Sequence, residues 1–151
     1  MSVRIRDFQI GDVDAIVEIL KLNGQYAFSE VDGPEAMRRV KACKAAVFLV
    51  CEVEGRVVGV VRGNFDCSRA IIHQLSVHPA YQKRGIGAAL VREIVERLRE
   101  KGAPTVSAMV HEKSVGFGRR LGLGGRRFFL LATGDFCVSG FIILRCFVAL
   151  F

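Results

Sequence analysis

Several constellations that would settle function at a glance are missing from this chain. There is no Cys-x-x-Cys pair, and the three histidines stand at no ligand-like spacing from Cys43, Cys51, Cys67, Cys137 and Cys146, so no metal site is expected. No Gly-Lys-Ser/Thr follows a glycine-rich turn, which excludes a P-loop, and no GxGxxG directly follows a strand, which excludes the dinucleotide fingerprint. An odd cysteine count without a secretory signal predicts reduced thiols in a cytoplasmic protein. Internal repeats and low-complexity linkers are absent as well.

Nor is there an uninterrupted apolar run of the ~20 residues a membrane-spanning helix needs. The nearest, Phe128 to Phe151, is broken by Asp135, Gly140 and Arg145, and charges there are expensive in lipid. It reads better as two buried strands that suggest a homodimer interface, although Arg145 then lies unexplained in a strand apolar on both faces. Acidic residues are the minority, 15 against 22 Lys and Arg, for a net charge of +7. That balance fits anionic partners or simply a basic surface. Arg119, Arg120, Arg126 and Arg127 cluster without interleaved aromatics, so nucleic-acid binding is not expected.

What is present describes one soluble domain, residues 1–151, with 51% hydrophobic and 25% charged residues. "SVRIR" alternates as a strand, and "GDVDAIVEILKLNG" predicts a helix capped by Asp12, with Val13, Ile16, Ile19 and Leu20 on its apolar face and Gly24 near its end. "DGPEAMRRVKACK" predicts a second helix with Pro34 in its first turn. "AVFLVCEVEGRVVGVVRGNF" reads as a hairpin turning at Glu54-Gly55, and "AIIHQLSV" as a further strand. Leu90, Val91, Ile94, Val95 and Leu98 form the apolar stripe of a long helix, supported by a Glu93–Arg97 pair and stopped at Lys101-Gly102. "TVSAMV", a weaker helix "EKSVGFGRRLGL", and strands at "RRFFLLAT" and "FIILRCFVALF" complete the chain. Cys51, Cys137 and Cys146 lie in apolar runs and read as small core residues.

The informative stretch is "LSVHPAYQKRGIGAALV". Unpaired N–H groups at a helix start lie at the positive end of the helix dipole and suit an anion. Gly85 and Gly87 remove two Cβ atoms at that point, and Lys83 and Arg84 add positive charge. A structural glycine turn that merely starts the helix is the competing reading.

The same stretch resembles motif A of the GNAT superfamily of acetyl-CoA-dependent N-acyltransferases, Q/R-x-x-G-x-G/A, matched by Gln82, Gly85 and Gly87. The order of elements resembles that family over nearly the whole chain. The resemblance implies a mixed α/β (α+β) fold: a mostly antiparallel sheet of about seven strands, splayed between strands 4 and 5 and flanked by about four helices. It implies that Gln82, Lys83, Arg84, Gly85, Ile86, Gly87 and Ala88 hold the coenzyme A pyrophosphate. Free main-chain groups of Leu75 and Val77 would pair with the acyl carbonyl and pantetheine amides, as an unpaired strand edge can. The expected activity is acetyl transfer from acetyl-CoA to a primary amine of a small molecule or peptide, by direct attack through a tetrahedral intermediate and without a metal.

For that chemistry a base must deprotonate the amine, and an N–H donor such as that of Leu75 must meet the developing oxyanion. His73 is the candidate base: it lies two residues before Leu75, so alternation puts both side chains on one face, and imidazole titrates near neutrality. A packed strand histidine is the alternative. His78 belongs to the turn. Glu52 could act through water, although a solvent-facing strand carboxylate is the plainer reading.

The family's second motif, N-x-x-A-x-x-F-Y-x-x-L-G-F, is matched less well, by His111, Ser114, Phe117, Gly118, Leu121, Gly122 and Leu123. His111 stands where asparagine contacts pantetheine, and Gly118 replaces the tyrosine that protonates the departing thiolate. Water, His111 or Glu112 could supply that proton, or the thiolate could leave unassisted. A non-catalytic acetyl-CoA-binding sensor or interaction domain is the competing function. The acceptor is expected near "NGQYAFSEVDGP", where Tyr26, Phe28, Glu30 and Asp32 read as a solvated acidic loop or as a binding site for a substrate ammonium.

Overall fold

The run "AVFLVCEV" is apolar at every position but Glu52, more than a single buried face can use. The computed structural model shows why; it describes residues 2–111, 128–133, 137–138, 141–142 and 147–148, with side chains as far as residue 108. In strand β2 (Ala46–Val53), Val47, Leu49, Cys51 and Val53 enter one core while Phe48 and Val50 enter another on the opposite face. A strand covered on both sides loses the apolar–polar alternation of a half-solvated one.

Helices supply the two covers. On one face lie α1 (Val13–Leu22) and α3 (Pro34–Ala42), joined through the short α2 (Ser29–Asp32). Their core gathers Phe8, Val13, Ile16, Leu20, Met37 and Val60. On the other face, α4 (Ile86–Glu100) presses its expected stripe of Leu90, Val91, Ile94, Val95 and Leu98 onto the sheet. Gly59 lets α4 approach: a Cβ there would stand 3.0 Å from Leu90 Cδ1 and 3.3 Å from Ile86 Cγ2. The helix stops in a Schellman turn, with Gly102 at φ 101°, Gly102 N–H donating to Arg99 O and Ala103 N–H to Leu98 O.

The remaining strands are β1 (Val3–Asp7), β3 (Arg56–Phe65), β4 (Ala70–Val77), β5 (Val106–His111), β6 (Phe128–Thr133), β7 (Cys137–Val138), β8 (Phe141–Ile142) and β9 (Phe147–Val148). Seven form one sheet in the order β1-β2-β3-β4-β5-β6-β9, antiparallel except at β4–β5 and β5–β6, while β7 pairs with β8 apart from it. The mostly antiparallel, mixed α/β architecture is therefore present. The hairpin turns at Glu54 and Gly55, whose φ of 51° and 79° suit a tight primed turn.

Three local expectations change. Asp12 occupies the N-cap position of α1 but makes no cap bond; its carboxylate takes both Arg6 Nη1 at 2.8 Å and Nη2 at 2.9 Å, and the Gln9 N–H at 2.7 Å. A guanidinium that matches both carboxylate oxygens outcompetes a single N–H. The acidic loop contains a turn of helix, α2. Within the expected last strand, Phe141–Ile142 pairs with β7 and Phe147–Val148 with β6. The predicted helix "EKSVGFGRRLGL", and with it Gly118, lies outside the described residues, as do Arg119, Arg120, Arg126, Arg127 and Arg145.

Candidate functional site

Two strands come apart in the middle of the sheet. β4 and β5 pair at Ala70–Val106, Ile71–Ser107 and Ile72–Ala108 and no further, although β4 continues to Val77 and β5 to His111. The His78 N–H donates to Val58 O at 2.8 Å, so Ser76 and His78 turn their main-chain groups toward β3. By alternation Leu75 and Val77 turn theirs into the gap. Side chains from elsewhere meet their carbonyls. Gln25 Nε2 donates to Leu75 O at 3.3 Å, Asn23 Nδ2 to Val77 O at 2.8 Å, and Gln82 Nε2 to Val77 O at 3.0 Å.

β4 leads into the glycine turn. His78 Nδ1 accepts the Ala80 N–H, so this histidine serves the turn. Lys83 adopts φ 60° and Gly85 φ 82°, two left-handed residues in three. Such alternation curls successive N–H groups toward one side and makes an anion nest. α4 begins at Ile86 without a side-chain cap, Gly85 being the N-cap, and its first internal bond there is Ala89 N–H to Gly85 O at 3.0 Å. The N–H groups from Gly85 to Ala88 therefore remain for an outside partner. Nothing lies within 4 Å of where a Gly85 Cβ would stand, so the cradle is open. Lys83 and Arg84 are exposed beside it, with the Arg84 guanidinium 5.4 Å from the Tyr81 ring centroid.

His73 is the first β4 residue past the last β4–β5 pair. It is also a bulge: Ile72 pairs with Gly63 and Gln74 with Arg62, leaving His73 unmatched. The extra residue breaks the alternation from which a common face with Leu75 was expected. Leu75 packs toward the α4 core, whereas His73 Nε2 hydrogen-bonds Asn64 Oδ1 on the opposite face. Gly63 makes the bulge possible, since a Cβ there would sit 2.4 Å from Ile71 O. Desolvation, then the charge of Arg62, holds the His73 imidazole below its ordinary value.

Beside His73 lies a polar cluster that sequence reasoning did not assemble. Asp32 is buried, not solvated; it accepts from Arg62 Nη2 at 3.2 Å, Gln74 Nε2 at 3.3 Å and the Ala27 N–H at 3.0 Å. It is thus committed to the protein and cannot hold a substrate ammonium. Phe28 and Val31, on the same loop, are exposed. Glu52 is likewise engaged: its Oε2 accepts from Arg6 Nε at 3.0 Å, which removes it as a free base. His111 ends β5 opposite Thr133, with its side chain outside the described residues. Among the described residues no group of three or more His, Cys, Asp or Glu is placed to hold a metal, and no helix is long and apolar enough to cross a membrane.

The chain belongs to the acetyltransferase (GNAT) family, whose pattern matches residues 14–123. An acetyltransferase of Sodalis glossinidius is 42% identical over 64 residues, covering 42% of this chain and 45% of that protein. One of Pectobacterium atrosepticum is 41% identical over 66 residues, covering 44% of this chain and 47% of that protein. The match thus spans about half the length of these curated relatives. In fold, the chain is similar to the PaiA N-acetyltransferase of Thermoplasma acidophilum, solved with coenzyme A, at a TM-score of 0.71 and 22% identity over 87% of this chain and 91% of that one. It is also similar to a transcriptional regulator of Bacillus halodurans, at a TM-score of 0.72 and 24% identity over 83% of this chain and 95% of that one.

Proposed function

We propose that this chain transfers an acetyl group from acetyl-CoA to a primary amine. One observation carries the reading: the open, doubly left-handed turn at Lys83–Gly85 delivers uncapped helix N–H groups at the mouth of the β4–β5 splay. The cradle fits a pyrophosphate, which needs several converging N–H donors, positive charge and no Cβ in the way. The splay fits a pantetheine arm, whose amides match a strand edge. The bound thioester supplies the electrophilic carbonyl.

The chain's own groups do the rest. The Leu75 main chain, facing the gap, offers an N–H to the carbonyl oxygen as charge grows there. His73 stands where the strands part, and desolvation and the charge of Arg62 disfavour its protonated form. With the Asn64 oxygen as acceptor, Nε2 carries the proton and Nδ1 is left basic, able to take a proton from the amine directly or through water. Because the bulge turns His73 away from the α4 face, this assignment requires the amine to enter from the side of α1 and α2.

Calorimetry with acetyl-CoA, followed by thiol release across amines and peptide N-termini, tests the proposal. Binding together with thiol release from at least one amine class is expected. Binding with no release from any amine would favour the sensor reading, and absence of binding would end both.

A further inference from the structure

We propose that Phe28 and Val31 select the acceptor: the chain takes a primary amine attached to an apolar group in preference to one that carries a second positive charge. The inference rests on the acetyl-transfer reading above and names the class of amine for that same site. Phe28 is the N-cap of α2 and Val31 lies within it. The Val31 N–H donates to Phe28 O at 3.1 Å, and the Asp32 N–H to the same oxygen at 2.8 Å. Side chains three apart in such a turn are neighbours. A lone exposed apolar residue is ordinary, but here Phe28 at 56% and Val31 at 53% are exposed side by side.

Polar bonds fix this turn on the sheet. Arg62 Nη1 donates to Val31 O at 3.3 Å and its Nη2 to Asp32 Oδ1 at 3.2 Å, while Gln74 Nε2 reaches the same carboxylate oxygen at 3.3 Å. Gln74 follows His73 in the chain, and Asn64, which holds the imidazole, lies two residues beyond Arg62 on β3. The turn is thus seated across β3 and β4 at the bulge. An amine that approaches His73 from the side of α1 and α2 passes this turn, and the group attached to it meets Phe28 and Val31. Charge points the same way. Asp32 is committed to Arg62, Gln74 and the Ala27 N–H, and Glu52 to Arg6. Glu30, the other carboxylate on α2, is exposed and accepts from Ser29 Oγ at 3.1 Å. A carboxylate in water holds a second ammonium weakly, whereas adjacent apolar side chains gain from every methylene laid on them. The net charge of +7 also works against a polycation.

The test compares hexylamine with hexamethylenediamine, and the tripeptide Leu-Gly-Gly with Arg-Gly-Gly, so that a free amine and a peptide N-terminus are told apart as sources. Thiol release at saturating acetyl-CoA gives kcat/KM for each. Calorimetry on the protein saturated with coenzyme A, which has no acetyl group to give, reads affinity apart from turnover. In at least one pair the apolar member is expected to exceed its charged counterpart by about tenfold or more in both measures. In the double variant Phe28→Ser with Val31→Ser that preference should fall to within about threefold, through KM. Both side chains are exposed, and the Val31 carbonyl and Asp32 that seat the turn stay in place, so the variant keeps its fold, which a coenzyme A titration checks. A preference that is absent, reversed or unaltered in the variant would overturn the assignment and leave the acetyl-transfer reading standing. Failure of all four amines to release thiol would overturn it too, and the wider amine screen then decides the acetyl-transfer reading separately.

Discussion

The Arg62 guanidinium and the Asp32 carboxylate meet 3.2 Å apart with side chains only 12% and 6% exposed. A pair so far from water is costly to assemble and costlier to split. Asp32→Ala is expected to lose ~3–5 kcal/mol, because it strands a buried cation. It also removes the acceptor of the Ala27 N–H and so frees the loop before α2. Chemical denaturation reads the loss. A change below ~1 kcal/mol would mean that the pair is hydrated like an ordinary surface bridge.

Gly85 poses the opposite problem, since its surroundings are empty and only its φ of 82° excludes other residues. Gly85→Ala is therefore expected to cost ~1–2 kcal/mol through backbone strain alone, and to weaken coenzyme A binding by tilting the N–H groups of the nest. Gly85→Asn, which tolerates the left-handed region, should be the milder change in both respects. Equal stability of the two variants would show that the turn is not held at positive φ.

His73 predicts a pH dependence of known sign. Desolvation and Arg62 depress its proton affinity in the folded state, so the unfolded chain binds a proton that the folded one refuses. Its contribution to stability is complete above the ordinary histidine value of about 6.5 and is lost as pH falls from there toward the lower folded value. His73→Gln should flatten that part of the stability curve, measured by urea denaturation. If His73 is the base, the same substitution should also remove the acid limb of the rate profile. An unchanged profile at saturating acetyl-CoA would discard the catalytic role.

Legibility followed distance along the chain. The stripe from Leu90 to Leu98 and the turn at Glu54-Gly55 are readable because period and backbone preference are set by immediate neighbours. The glycine turn is readable only in part: Gly85 permits a left-handed φ, whereas Lys83, which also adopts one, gives no local sign of it. The Asn23–Gly24 helix ending is a local signal too, one that could have directed attention to Asn23. Nothing local, however, says that Asn23 reaches Ser76 and Val77, or that Asp32 goes inside with Arg62.

By itself the amino-acid order determined the strands, the α4 stripe and an anion-ready helix start, each a matter of periodicity or of a residue's own dihedral preference. The tertiary structure alone decided that His73 is a bulge on the face away from Leu75, that Glu52 and Asp32 are committed to arginines, and that three amide side chains hold the edge of the splay. Those outcomes depend on which strands meet and in what register, because one added residue reverses every side chain beyond it.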